Sequence, residues 1–167
     1  MGIRSDLHAV KDGTRKMYLP YAFVTFDKKG KEIFYNTLKN VKVPDGYASN
    51  ISKCVQLKPP KLSGFKSHDY HILMLLLLPI SLRKTLPKSV RIPLIQLSRY
   101  FRDLCFKILK PQDLARMDAE ILLILCQLEK VFPPSFFDVM VHLSVHLSTE
   151  AKMGGLVHYR WMYPIKR

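Results

Sequence analysis

FPPSFFDVMVHLSVHL, residues 132–147, is the stretch that decides the fold. Pro134 suits a first helical turn, where its missing N–H costs nothing. Ser135 and Asp138 place acceptors at that end, and a carboxylate there complements the helix dipole. Phe136, Met140, Leu143 and Leu147 then recur at three- and four-residue steps with Val139 beside them, which is one apolar face of a helix. Gly154-Gly155 supplies the stop. The spacing predicts a helix over 135–152.

The same step runs outward through the chain. Upstream, Pro111 and Asp113 open a helix predicted over 112–131, with Leu114, Met117, Ile121, Leu125 and Leu128 as its stripe. Before it, Pro93 is expected in the first turn of a helix over 93–109, carried by Leu94, Leu97, Phe101, Leu104 and Ile108. Ser67 and Asp69 start a helix over 69–78 that is apolar nearly all round, so it belongs in the middle of the core. Pro79 breaks or kinks it. Asp27 caps a shorter helix over 28–40, with Ile33, Phe34, Thr37, Leu38 and Val41 facing inward and lysines outward. Gly30 weakens its first turn. Residues 1–26 and 43–66 read as mostly irregular, punctuated by Pro20, Pro44-Asp45-Gly46 and Pro59-Pro60. The fold class is mainly α: a bundle-like domain of about four main helices with an extended N-terminal arm.

Length and composition set the outer limits. At 167 residues with 48% hydrophobic content, one globular domain is the default. No apolar run reaches the roughly 18 residues of a membrane helix. The N-terminus lacks the apolar core of a signal peptide. Three cysteines without a close pair point to a reducing compartment and not to a disulfide framework, and Cys105 and Cys126 read as buried, inert thiols.

Charge is the clearest functional signal. Residues 1–66 hold 13 Lys/Arg against 5 Asp/Glu, residues 67–110 hold 8 against 2, and residues 111–167 hold 6 against 6; the net values +8, +6 and 0 sum to +14. Such asymmetry points to a polyanion, most simply DNA met without sequence preference. Arg83, Lys84, Lys88, Arg91, Arg99 and Arg102 are the candidate nucleic-acid contacts. The alternative is a protein–protein module on which the charge is incidental.

Two histidine sets come into question as metal sites. Asp138, His142, His146 and Glu150 fall at four-residue steps, and His-x-x-x-His is ligand spacing for zinc. The general-base glutamate of the zinc-protease motif is missing, and pairing with Asp138 or Glu150 explains the histidines as structural residues. His68 and His71 with Cys54 lack the second cysteine of a zinc-finger pattern. No metal, cofactor, small-molecule substrate or membrane partner is expected. No phosphate-binding glycine loop or nucleophile elbow occurs, and the 13 acidic residues assemble no two-metal triad, so no catalytic residue is assigned.

The segments VKVPDGYASNISKCV, FKSHDYHILMLLLLP, LEKVFPPSFFDVMVHLSVHL and YRWMYPIKR closely resemble plant transposon proteins of the CACTA (En/Spm-like) type. They look like the domain of unknown function that follows the transposase domain there, and MGIRSDLH with LPYAFVTF looks like the joining segment. The resemblance implies residues 1–63 as joining segment and 64–167 as the helical transposase-associated domain. It also implies an acidic catalytic domain upstream of Met1, further sequence beyond Tyr163-Pro164, and a nuclear location. The chain is thus expected to be an internal, non-catalytic fragment whose partners are DNA and a transposase catalytic domain. It departs from the family's pattern at Tyr70, where a cysteine is usual, and at Leu75 and Leu76, where polar residues are usual. The missing cysteine makes a shared metal role for that segment less expected.

Overall fold

The computed structural model describes residues 10–11, 17–18, 24–42 and 51–155. Within them the chain is mainly α. Two short antiparallel strand pairs accompany the helices: β1 (Val10–Lys11) with β2 (Met17–Tyr18), and β3 (Val55–Leu57) with β4 (Pro60–Leu62). The helices are α1 (Lys28–Asn40), α2 (Ser67–Ile72), α3 (Leu78–Ser81), α4 (Lys88–Leu104), α5 (Pro111–Glu129), α6 (Val139–Leu143) and α7 (Leu147–Gly154).

Helix α1 has the expected span. The Asp27 carboxylate accepts from the Gly30 N–H at 2.6 Å and closes the first turn. Phe34 and Leu38 are buried, whereas Ile33 is largely exposed. Residues 51–62 correct the expectation of an irregular linker. A 3-10 turn (Ile51–Cys54) leads into the β3–β4 hairpin, in which Val55 pairs with Leu62 and Leu57 with Pro60. The two prolines sit at the hairpin's tip, where an N–H is dispensable, so they delimit the strands and do not preclude them. Lys39, read as part of a solvated face, instead donates to the carbonyls of Ser52 and Val55, at 2.8 and 3.1 Å. Phe34, Leu38, Ile51, Val55, Ile72, Leu77 and Leu82 form one core, built from both sides of position 63.

The apolar segment after Ser67 runs further than 69–78. Between α2 and α3 the chain makes a π-helical turn (Leu73–Leu77), in which the Leu78 N–H reaches the Leu73 carbonyl. A π turn widens the helix and shifts its hydrogen-bond register. Pro79, just beyond, has no N–H to give. The Met74 carbonyl loses its usual helical donor, and Ser98 Oγ on α4 donates to it at 2.7 Å. Ser98 is 1% exposed. Ser98→Ala should therefore strand a buried carbonyl and lower stability by about 1–3 kcal/mol. Urea unfolding with an unchanged midpoint would mean that water takes the place of the hydroxyl.

Helix α4 begins at Lys88 after Pro87 and ends at Leu104, five residues earlier at each end than 93–109. Pro87, not Pro93, sets its start; Pro93 lies inside the helix and is buried. Ile108, expected on the helical stripe, is outside the helix and 81% exposed. Helix α5 starts at Pro111, where Asp113 accepts from the Lys110 N–H at 3.3 Å. Leu114, Met117, Ile121, Ile124 and Leu128 are buried there, packed with Tyr100, Leu104 and Ala151 in a second core. Leu94 on α4 packs against both cores.

The helix expected over 135–152 is three pieces. Pro134–Phe136 is a 3-10 turn, α6 follows, and α7 starts only at Leu147. Between them Ser144, Val145 and His146 donate three residues back, to Val141, His142 and Leu143. The tightened turn frees the Ser144 carbonyl, which accepts from the buried Tyr100 hydroxyl at 2.9 Å. The break shifts the apolar face: Phe132, Phe137 and Leu147 pack on the second core, while Val139 and Leu143 are exposed. The orientation expected of the Met140 side chain, and all expectations for the tail 156–167, lie outside the described residues.

Candidate nucleic-acid interface

The six candidate basic residues fall in two places. Arg83 and Lys84 lie in the turn after α3, Lys88 opens α4, and Arg91 sits one turn on. The Arg91 guanidinium donates to the Arg83 carbonyl and ties the turn to the helix. Lys84 lines a groove of about 500 Å³ whose other wall comes from α1, including Lys29, Gly30 and Ile33. Sequence reading placed Lys29 on a lysine-rich outer face but not in the site. What brings it there is the close approach of α1 to the turn. A Cβ on Gly30 would lie 3.0 Å from the Thr85 carbonyl and 2.7 Å from the capping Asp27 oxygen. Glycine at position 30 is thus a packing requirement and not just a weak helix former. Asp27 also lines the groove, with its carboxylate committed to the helix cap.

Arg99 and Arg102 lie beyond, towards the C-terminal end of α4. Eight residues of helix from Arg91 to Arg99 span about 12 Å. Arg99 lines a second groove of about 330 Å³ between α4 and α5, among Gln96, Asp103, Arg116, Glu120 and Gln127. Arg102 pairs with Asp103 at 3.3 Å, and Arg116 with Glu120 at 2.7 Å.

The carboxylates serve structure. Asp118 accepts from Ser148, Thr149 and Lys152 and ties α5 to α7. Partial burial pushes its carboxyl up, but the combined pull of Lys152, Ser148 and Thr149 outweighs that and holds it below the ordinary carboxylate range. The tie is therefore present at neutral pH and weakens as pH falls through the carboxylate range. Burial raises the Tyr100 hydroxyl, which belongs to the same network through Ser148. Asp69 is buried and accepts from the Lys66 N–H at 2.9 Å, so Lys66 and not Ser67 stands at the α2 cap.

The stripe Asp138, His142, His146 and Glu150 runs across the break before α7. Asp138 accepts from the Val141 N–H at 3.1 Å, and both histidines are exposed with ring centroids 5.4 Å apart. His68 and His71 stack at 6.5 Å, and burial first, then the charge of His68, lowers the His71 pKa. Among the described residues, no group of three or more His, Cys, Asp or Glu is placed to hold a metal ion. Burial pushes the Cys105 thiol up to about 11, in keeping with an inert side chain. Cys126, expected buried, is exposed on α5. None of the described helices is long and apolar enough to cross a membrane.

No curated protein and no solved structure matches the chain. A family model described as a domain of unknown function, DUF4218, matches residues 104–167, less than half of the sequence, from the end of α4 through α5, α6 and α7.

Proposed function

We propose that the chain is a non-catalytic, accessory helical module of a CACTA-type transposon protein that contacts DNA electrostatically, without sequence preference, in the nucleus. The observation that carries the DNA reading is the convergence of Lys29 and Lys84 on one groove, beside Arg83, Lys88 and Arg91. Cations drawn from distant parts of the chain to one edge give the local positive field that a phosphate backbone attracts. The non-catalytic reading draws support from the carboxylates. Asp27, Asp69, Asp113 and Asp138 cap backbone N–H groups, and Asp103, Asp118 and Glu120 pair with basic side chains. The transposon affiliation rests on the sequence resemblance, and the matched family description is compatible with it.

Binding of the full chain to a labelled duplex, titrated across salt, tests the reading. Log affinity should fall with log salt at about −0.9 per phosphate contacted, and Lys29→Ala with Lys84→Ala should make that slope shallower by about 2. All duplex sequences should weaken alike. Absent binding at low salt, or binding that ignores salt, would remove DNA as the partner.

A second reading, a module that docks another protein such as the transposase catalytic domain, is favoured by one feature. The outer face of α5 leaves Leu122 and Leu123 51% and 64% exposed, next to Cys126.

A further inference from the structure

Within the connection between α4 and α5, residues 106–110 read Phe-Lys-Ile-Leu-Lys. Four of the five residues are exposed and one is turned inward. Phe106 and Ile108 are 52% and 81% exposed, whereas Leu109 packs on the second core. Both ends are pinned. The Phe106 N–H bonds to the Asp103 carbonyl at 3.1 Å, and the Lys110 N–H to Asp113 at 3.3 Å. Two large apolar side chains therefore stand in solvent on a short connection anchored at three points. Around them are cations: Lys107 and Lys110 within the connection, and Arg99 and Arg102 on the last two turns of α4, which lead into it. The nearby carboxylates, Asp103 and Asp113, are engaged with Arg102 and with the Lys110 backbone.

We propose that residues 106–110 form a wedge: Phe106 and Ile108 enter a base step of duplex DNA while Arg99, Arg102, Lys107 and Lys110 seat on the flanking phosphates. Proteins that kink DNA do so with a few apolar side chains of this kind, partly unstacking one step and gaining contact along the bent duplex. A lipid surface is the weaker fit, because membrane adsorption draws on a long amphipathic face and this connection offers two side chains. The inference rests on the DNA reading above and adds a geometry to it. It also gives Arg99 and Arg102, remote from the Lys29–Lys84 groove, a place in the same contact.

The test uses the full chain and a short duplex carrying a fluorophore pair at its ends and 2-aminopurine at a central step. Wild type should raise energy transfer and 2-aminopurine emission together. Phe106→Ala with Ile108→Ala should abolish both signals and weaken binding by at least about tenfold, with the salt slope unchanged, since no cation is removed. Ile108→Ala alone, at the more exposed position, should lower both signals part-way. Binding by wild type without bending or unstacking, or bending retained by the double variant, would overturn the wedge and leave the electrostatic reading standing. Failure of wild type to bind the duplex at low salt would overturn both. Adsorption to phosphatidylserine vesicles that requires Phe106 and Ile108, with duplex behaviour unaffected by their loss, would assign the connection to a lipid surface instead.

Discussion

Expressed alone, residues 64–167 should melt far below the full chain and bind a hydrophobic dye such as ANS. Ile72, Leu77 and Leu82 are at most 5% exposed, and their cover includes Phe34, Leu38, Ile51 and Val55 from before position 63. Uncovering a buried aliphatic side chain costs about 1.5–3 kcal/mol, so three of them represent at most about 4.5–9 kcal/mol, less whatever contacts the shorter chain keeps. That is comparable with the whole stability of an ordinary domain. Lys39 would be lost as well, though by then the turn and hairpin it holds would be gone. A cooperative melt within a few degrees of the full chain, with no dye binding, would show that α1 and the hairpin are dispensable to the helices that follow.

Ile121→Ala should lower stability by about 2–5 kcal/mol, while Leu122→Ala, at the next position, should stay within about 0.5 kcal/mol. Ile121 is 0% exposed in the core shared by α4, α5 and α7, and Leu122 is 51% exposed. Truncation at position 121 removes apolar contact and leaves a cavity between helices that cannot fully close. Urea unfolding of the two variants measures the contrast directly. Equal effects would mean that the outer face of α5 is already covered in the isolated chain, leaving no free surface there for the protein-docking reading.

Much of the helical content was legible because local rules and tertiary packing agree there. In α1 the Asp27 cap and the step Phe34–Leu38 point the same way, and in α5 Pro111, Asp113 and a stripe with period 3.6 do so. The misreadings lie where a distant group decides. Helix α4 carries prolines at two consistent starting points, and periodicity cannot choose between Pro87 and Pro93. The stretch 132–147 has the pattern of one helix, yet the Tyr100 hydroxyl captures the Ser144 carbonyl and stabilises a break. The π turn before Pro79 is answered by Ser98, whose side chain gives no sign of that role in sequence. The β3–β4 hairpin was hidden because Pro59-Pro60 reads as a breaker until the pairing of Val55 with Leu62 is known. For the candidate site, composition pointed to the basic residues of the 83–102 region, but the pairing of Lys29 with Lys84 depends on α1 lying against the 83–87 turn. Nothing local to Gly30 announces that approach.

Helix α4 also acts as a ruler. Along this one helix Lys88 and Arg102 stand fourteen residues apart, a length of about 21 Å. About twelve phosphate charges, counting both strands, occupy that distance on a duplex, and it corresponds to about six base-pair rises at 3.4 Å each. A polyanion shorter than this can satisfy one end of the rod at a time. On the proposed DNA reading, one that is longer engages both ends, and the two weak attachments act as a single bivalent one, with the helix fixing the spacing in advance.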